Sequence, residues 1–236
     1  MYCGRHTKFD ISSTEKKYID SILKKIDPEK TKSEFRVVTF DNFYKLFNKN
    51  EKALIERIIT IDPLEYGFKG KYFGIQDVPN DLVEIVDQKY HHKDEIKTVD
   101  IQYLPKQPYL AYQKLNESLY KEKVGNLLVL SGYRSSAYQA FVFLWYLKFY
   151  KFDLHKTVRR AAIPGYSEHG FPKQQAIDFM TENGSPTEDN PEDFENTDEY
   201  KWLEKNAKKF GFYLTNPRNN KLGTMYEPWH WAYIAD

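Results

Sequence analysis

The chain has 236 residues, which is enough for one large domain or for one domain with an appendage. Its hydrophobic content of 41% supports a real core, and its net charge of +1 lacks the basic excess of an electrostatic nucleic-acid binder. The single cysteine, Cys3, excludes an internal disulfide framework and a cysteine-rich zinc site. No apolar run approaches the roughly 20 residues that span a bilayer.

The N-terminus, residues 1–5, contains no apolar signal core. The protein is then either cytosolic or a mature, trimmed form of a longer chain. Cys3 is followed by Gly4, which is also compatible with the lipid-bearing cysteine of a processed bacterial lipoprotein. The alternative is a chance cysteine in a loose terminus.

The first quarter of the chain predicts an accessory helical region over residues 1–60. Ser12 and Glu15 form a capping-box pattern that opens a helix to about residue 25. Residues 35–40 read as a short strand, and residues 41–59 have helical apolar spacing with a polar break at 48–50. No paired His, Asp or Glu stands at a useful spacing here.

Residues 61–105 are rich in Gly and in Asp-Pro or Pro-Asn turn signals, which predict an extended arm over the surface of a domain. His91 and His92 lie in this arm. Adjacent histidines do not easily chelate one metal in a regular element, so we expect an exposed polar loop.

The remainder is denser in regular structure. Residues 108–123 predict a helix with Leu110, Leu115 and Leu119 inward, and residues 126–130 predict a buried strand. Residues 138–150 form a strongly aromatic helix that must be mostly buried.

Four further elements follow along the chain. Residues 175–180 predict a strand, and Asn196 caps a helix over 197–209 that Gly211 closes. Residues 212–214 form a short strand, and a last strand starts near Trp229. Residues 181–196 are acidic and predict a solvated loop.

Three residues have the pattern of a catalytic metal site. Asp178 lies in an otherwise apolar strand, where a lone carboxylate is costly unless it is paired or coordinated. His169 precedes it across a turn, and His230 lies near the C-terminus. Catalytic Zn²⁺ is usually held by three protein ligands, such as two imidazoles and one carboxylate, and its fourth coordination position is open to water.

Two other residues fit the chemistry of such a site. Glu227 lies three positions before His230, and Pro228 between them excludes a helix interior, so Glu227 sits on a turn before the last strand. It is a candidate general base for a metal-activated water. Arg134, at the end of a strand, is a candidate for polarising the scissile carbonyl and stabilising its oxyanion.

Each of these residues taken alone has a structural alternative. His169 could be an ordinary loop histidine, and Asp178 could cap a helix or pair with Arg134. Glu227 could pair with a lysine, and Arg134 could bind a structural carboxylate. Their joint arrangement favours the functional interpretation.

Three segments resemble the VanY-like D-alanyl-D-alanine carboxypeptidases, which belong with lysostaphin-type enzymes and the Hedgehog domain. They are Ser131-Gly132-Tyr133-Arg134-Ser135 with Gln139, Ser167-Glu168-His169 with Ala176-Ile177-Asp178, and Glu227-Pro228-Trp229-His230-Trp231. The resemblance covers roughly 61–236, the predicted carboxypeptidase domain with its arm at about 61–105, and leaves out 1–60.

One departure concerns the spacing of the first two ligands. The family usually has six residues between His and Asp, whereas eight separate His169 from Asp178 here, and Gln175 replaces the usual Gly. An insertion of two residues preserves the two-residue side-chain period of a strand, so Asp178 can still face the metal. The longer loop at 171–173 puts substrate preference in question.

The resemblance implies an α+β fold, in which a small antiparallel sheet is flanked by helices and zinc lies in a central cleft. It also implies a zinc D,D-carboxypeptidase that removes the C-terminal D-alanine from peptidoglycan stem peptides, with Ser167 and Gln139 as further substrate contacts. Alternatives are an L,D-carboxypeptidase acting on tetrapeptide stems and a non-catalytic wall-binding module that keeps zinc for structure. The substrate implies a bacterial cell envelope location, and the oligomeric state stays open.

Overall fold

The computed structural model describes residues 9–185 and 190–235, so Cys3 lies outside the described residues. The fold is α+β, as predicted, with small antiparallel sheets. The helices are α1 Ser13–Ile26, α2 Phe40–Tyr44, α3 Lys49–Ile59, α4 Lys106–Lys121, α5 Ser136–Phe149, α6 Leu154–Arg160, α7 Glu192–Glu195 and α8 Asp198–Asn206. The strands are β1 Leu82–Ile85, β2 Lys89–His92, β3 Glu95–Thr98, β4 Gln102–Pro105, β5 Leu127–Ser131, β6 Gln174–Thr181, β7 Phe212–Leu214 and β8 His230–Ile234.

The central sheet has the strand order β5-β6-β8-β7, and each pair of neighbouring strands in it is antiparallel. Its register places Asp178 of β6 opposite both His230 of β8 and Ser131 of β5. Because side chains alternate along a strand, one face of this sheet can be apolar while the other carries polar groups.

The apolar face of the sheet packs on α4 and α8. Ile177 and Phe179 of β6 and Trp231 of β8 join a buried cluster that includes Leu115 of α4 and Leu203 of α8. Asp178 and His230 therefore point to the opposite face. The sheet is a two-sided support, with a hydrophobic layer behind it and the polar residues in front.

A second hydrophobic cluster joins the N-terminal helices to α5 and α6. The helix α5 is apolar nearly all round, which is typical of a buried helix. The Ser135 N–H donates to the Arg36 carbonyl at 3.0 Å, and its Oγ donates to the Val38 carbonyl at 2.6 Å. The N-terminal region therefore holds the start of α5 in place, and its accessory role stays a prediction.

The arm at 61–105 combines irregular backbone with two antiparallel strand pairs, the β2–β3 hairpin and the β1–β4 pair that flanks it in the chain. It begins with a short 3₁₀ helix, Pro63–Tyr66. The Lys69 N–H donates to the Leu222 carbonyl, and the Phe73 N–H donates to the Gly165 carbonyl. Residues 67–74 thus lie along the loops that precede β6 and β8.

The structure matches the predicted start of α1, where Ser12 and Glu15 form the capping box, and the break at 48–50, where Asn48 caps α3. The strand predicted at 35–40 is wrong: this stretch contains a 3₁₀ helix, Ser33–Val37. Phe35 packs between Phe43 and Tyr138, and the carbonyls of this stretch are used by Ser135 instead of a strand partner.

Three smaller expectations also changed. Leu110 is exposed, because Tyr112 of α4 occupies the inward position together with Leu115 and Leu119. Thr197, not Asn196, caps α8 by accepting a hydrogen bond from the Tyr200 N–H. His91 and His92 are exposed as expected, but they lie in strand β2, because a two-residue turn at Lys93 and Asp94, with Lys93 in the left-handed region, closes a hairpin with β3.

Within the described residues, no helix is long and apolar enough to cross a membrane.

Two aromatic residues on α5 allow a matched test of the buried cluster. Phe143 is fully buried and Phe149 is 61% exposed. We expect Phe143→Ala to lower the free energy of unfolding by about 3–5 kcal/mol, because it removes buried surface and leaves a cavity. Phe149→Ala should cost about 1 kcal/mol or less. Denaturant unfolding compares the two, and equal losses would contradict this arrangement of the core.

Candidate metal centre and active site

Three side chains converge on the polar face of the sheet: His169, Asp178 and His230. The His169 Nε2 lies 3.3 Å from the Asp178 Oδ2, and the His230 Nδ1 lies 2.8 Å from the Asp178 Oδ1. One ligand atom from each residue lies within 4.8 Å of the others. The structure thus brings together the His-Asp-His triad that the sequence predicts.

Backbone elements explain this convergence. Asp178 and His230 are directly opposite in the β6–β8 ladder. His169 lies on a short 3₁₀ helix, Glu168–Gly170, just before β6. The insertion of two residues therefore leaves Asp178 facing the cluster, as the two-residue period of the strand requires.

Gly132, at the end of β5, fixes the orientation of His169. The Gly132 carbonyl accepts from the His169 Nδ1 at 2.8 Å, so the Nε2 lone pair is directed to the cluster. A Cβ at Gly132 would lie 2.3 Å from the Tyr103 carbonyl oxygen, which leaves no space for a side chain. The glycine is needed for this close approach of β5 and β4.

Glu168 has a position that the sequence analysis did not assign. Its carboxylate lies 2.9 Å from the His230 Nε2 and accepts a hydrogen bond from Thr215 Oγ1 at 2.6 Å and one from Gln174 Nε2. A carboxylate on the outer nitrogen of a ligand histidine fixes its tautomer and orients the ring. The signal was its place beside a ligand histidine, but the partner lies 62 residues away.

The three residues of the triad have pKa values that are shifted in different directions. Burial lowers the pKa of His169 to about 4, and the Arg134 charge acts in the same direction. Burial alone would lower the pKa of His230, but hydrogen bonds with Asp178 and Glu168 raise it to about 10. Burial would raise the pKa of Asp178, but the two histidines hold it well below its usual range.

The donor set fits a bound metal ion such as Zn²⁺. His169 would contribute Nε2, His230 would contribute Nδ1, and Asp178 would contribute a carboxylate oxygen. Each outer histidine nitrogen already has an oxygen partner, Gly132 for one ring and Glu168 for the other. Both rings are therefore oriented before any metal binds.

A cavity of about 620 Å³ opens in front of the triad. It is bounded by the polar face of the sheet, by α5 and α6, and by arm residues such as Phe68 and Phe73. All the predicted site residues line it: Arg134, Gln139, Ser167, His169, Asp178, Glu227 and His230. The resemblance had implied a central cleft that holds the metal.

Glu227 is held by two donors at the edge of this cavity. Asn216 Nδ2 donates to Oε2 at 2.7 Å, and the Arg160 guanidinium donates to Oε1. Burial raises the pKa of Glu227, while the charges of Arg160 and His230 oppose the rise. The alternative of a lysine partner is replaced by an arginine from the end of α6, which the sequence analysis did not single out.

Arg134 follows β5, and its main-chain N–H donates to the His169 carbonyl at 3.0 Å. Its side chain lines the cavity beside the triad. Burial lowers the pKa of the guanidinium, and the nearby Asp178 carboxylate opposes this effect. Among the described residues its buried Nε has no hydrogen-bond partner, which is what a group reserved for a substrate oxygen would show.

Gln139 and Ser167 complete the predicted set of cavity residues. The Gln139 Nε2 donates to the Ala162 carbonyl at 2.7 Å, whereas its buried Oε1 has no partner among the described residues. Gln139 therefore offers an acceptor to a ligand N–H. Ser167 offers a hydroxyl at the cavity wall next to Glu168.

The departures from the usual spacing are accommodated locally. Gln175 is fully buried, and its Nε2 donates to the carbonyls of His169 and Ala176. It thereby ties the ligand-bearing turn to β6. Phe171 of the longer loop stacks on Phe73 of the arm with ring centroids 4.8 Å apart, so the insertion contacts a residue that lines the cavity.

We expect Glu168→Gln to weaken metal affinity by about 10–100-fold, because the neutral amide holds His230 less firmly than the carboxylate does. Competition against a coloured chelator measures the affinity without any activity assay. Glu84→Gln, an exposed residue that does not line the cavity, is the control. Equal affinity in the two variants would show that Glu168 does not support the metal site.

Comparison with known proteins points to the same family as the sequence motifs. The model of the family VanY, D-alanyl-D-alanine carboxypeptidase, matches residues 101–236. The putative carboxypeptidase YodJ of Bacillus subtilis (strain 168) is 27% identical over 231 residues, 97% of this chain and 78% of that protein.

Solved structures of other proteins are also similar to this chain, among them an LD-carboxypeptidase and a D,D-pentapeptidase. LdcB, an LD-carboxypeptidase that recognises peptidoglycan, is 30% identical with a TM-score of 0.53, over 66% of this chain and 69% of that one. The D,D-pentapeptidase VanY from the VanB-type resistance cassette, in complex with Zn(II), is 21% identical with a TM-score of 0.46, over 63% and 79%. Because the family model matches more than half of the residues, the chain belongs to the VanY D-alanyl-D-alanine carboxypeptidase family.

Proposed function

We propose that this protein is a zinc-dependent D,D-carboxypeptidase that removes the C-terminal D-alanine from peptidoglycan stem peptides. The observation that carries the proposal is the position of Glu227, whose carboxylate is only 13% exposed and lies in the same cavity as the His-Asp-His triad. A purely structural metal site has no use for such a group, because it usually closes its coordination with protein ligands. Membership of the family supports the substrate class.

The chain's own residues divide the work of hydrolysis. When bound, Zn²⁺ supplies Lewis acidity, which makes water nucleophilic near neutral pH and polarises a carbonyl oxygen. A carboxylate oxygen of Glu227 takes the proton of the attacking water and passes it to the amine of the departing D-alanine. Burial favours this role, because it raises the pKa of Glu227 toward that of a useful base.

Arg134 stabilises the negative charge that develops on the scissile carbonyl oxygen. Its guanidinium is buried beside the triad, so it is oriented before the substrate binds and acts in a region of low dielectric constant. The Gln139 Oε1 accepts a peptide N–H of the stem, and the Ser167 hydroxyl makes a further contact. These contacts hold the last peptide bond against the metal centre.

L,D-Carboxypeptidase activity on tetrapeptide stems is the second candidate. The similarity to the LD-carboxypeptidase LdcB, at 30% identity, favours it. Both reactions use the same metal, base and oxyanion groups, and they differ in the residue that precedes the scissile bond. We place the recognition of this residue at Phe73, which lines the cavity and stacks on Phe171 of the longer loop.

We also propose that the protein works in the bacterial cell envelope, because its proposed substrate lies outside the cytoplasm in most bacteria. A lipid anchor on Cys3 remains part of this proposal.

Digestion of defined stem peptides tests the activity and its specificity together. We expect the pentapeptide to lose one alanine residue, and the tetrapeptide and tripeptide to stay intact, as measured by mass spectrometry. A chelator should stop the reaction and added Zn²⁺ should restore it. Loss of alanine from the tetrapeptide alone would identify the L,D-enzyme, and no cleavage of any stem with full zinc content would overturn the proposal.

Glu227→Gln tests the general base. We expect kcat to fall by about 10²–10⁴-fold, because the amide cannot take the proton of the attacking water. Zinc content and the unfolding midpoint should stay close to those of the unchanged protein. Glu192→Gln is the control, since this glutamate is half-exposed and pairs only with Arg218 among the described residues. Near-full hydrolysis by folded, zinc-loaded Glu227→Gln would contradict the role.

A further inference from the structure

Arg160 is the last residue of α6, and its side chain lines the cavity. Its Nη1 contacts the Glu227 Oε1, and the two side chains are only 12% and 13% exposed. The guanidinium carbon lies 5.1 Å from the centre of the Tyr146 ring, a cation–π contact. The proposed reaction as described above gives this arginine no role.

The geometry of the leaving group connects Arg160 with the substrate. In the proposed reaction Glu227 donates a proton to the amine of the departing D-alanine. Only one carbon atom separates that amine from the terminal carboxylate of the same residue. The group that binds the carboxylate must therefore stand next to Glu227, and Arg160 is in direct contact with it.

We propose that Arg160 binds the C-terminal carboxylate of the substrate and so restricts cleavage to the free carboxyl end of a peptide. This inference rests on the proposed carboxypeptidase function. An anionic terminus that enters a cavity needs a partner, because burying an unpaired charge is costly. A guanidinium fits a carboxylate with two parallel hydrogen bonds and stays charged throughout the physiological range.

Glu227 does not depend on Arg160 alone. Asn216 Nδ2 donates to its other oxygen at 2.7 Å, and the Asn216 carbonyl accepts from the Glu227 main-chain N–H at 3.1 Å. Asn216 is itself held by Thr224, whose Oγ1 donates to the Asn216 Oδ1 at 2.8 Å. A substrate carboxylate can therefore compete for the Arg160 Nη1 while Glu227 keeps its position.

Two other arginines line the cavity, and their positions suit other tasks. Arg134 lies next to Asp178 and His169, on the side of the triad, where the scissile carbonyl belongs. Arg159 is exposed at the border with a second, shallower cavity. Arg160 alone of the three contacts the proposed proton donor.

The test compares a stem peptide that ends in D-alanine with the same peptide ending in D-alanine amide. The unchanged enzyme should prefer the free acid by about 10–100-fold in kcat/KM, which is the range expected for a charge-assisted hydrogen bond. Arg160→Gln should bring this ratio close to one by slowing the acid far more than the amide. Arg159→Gln, the neighbouring charge, should keep the ratio.

Each contrary outcome is distinct. An unchanged enzyme that cleaves acid and amide equally well overturns the inference without any variant. Equal losses on both peptides in Arg160→Gln would mean that Arg160 acts only through Glu227, and a collapse of the ratio in Arg159→Gln would mean a general charge effect. If Arg160→Gln does not fold, Arg160→Lys should keep a reduced preference for the acid, and an undiminished preference would count against the inference. Cleavage of neither peptide by the unchanged enzyme would overturn the proposed function itself.

Discussion

The contact of the largely buried Asp178 carboxylate with two imidazoles is the interaction on which the rest of the site depends. A carboxylate in the middle of a core strand is unfavourable unless cations or hydrogen-bond donors surround it. His230 reaches it through the β6–β8 register, and His169 reaches it from the 3₁₀ turn before β6. The histidines are held in turn by Gly132 and Glu168. Each ligand is therefore fixed by strand pairing or by a second hydrogen bond.

Three largely buried carboxylates in one cavity differ in pKa because their surroundings differ. Asp178 contacts both histidines, and its pKa is held well below the usual range. Glu168 is also kept at a lowered pKa, because its hydrogen bonds with His230, Thr215 and Gln174 outweigh its burial. Glu227 alone has a raised pKa, since burial outweighs the influence of Arg160 and His230. The carboxylate with the highest proton affinity is the one proposed to move a proton.

The architecture explains how several charged side chains come to line one cavity. The sheet carries the triad, while α5 and α6 lie on the other side, supported by the N-terminal helices through one shared hydrophobic cluster. Three carboxylates line the cavity. Four cationic side chains also line it: Lys71, Arg134, Arg159 and Arg160. A divalent metal would add to this excess. Lys71 and Arg159 are exposed, so solvent and salt screen their charges, and in the proposed reaction Arg160 is the cation that distinguishes a free carboxylate from a neutral end.

The sequence by itself identified the triad, the candidate base, most helices and the four strands of the central sheet, whereas strands β1–β4 of the arm and helix α6 were not predicted. Periodicity and capping patterns located α1 and α3, and an isolated Asp178 in an apolar run marked the metal site before any contact was known. The strand predicted at 35–40 failed because Phe35 is drawn into a tertiary cluster with Tyr138, which overrides local propensity. Only the tertiary structure decided the hydrogen-bond and ion-pair partners of the candidate site residues. Glu168 and Arg160 lie 62 and 67 residues from the side chains they contact, and no local pattern encodes a contact over such a separation.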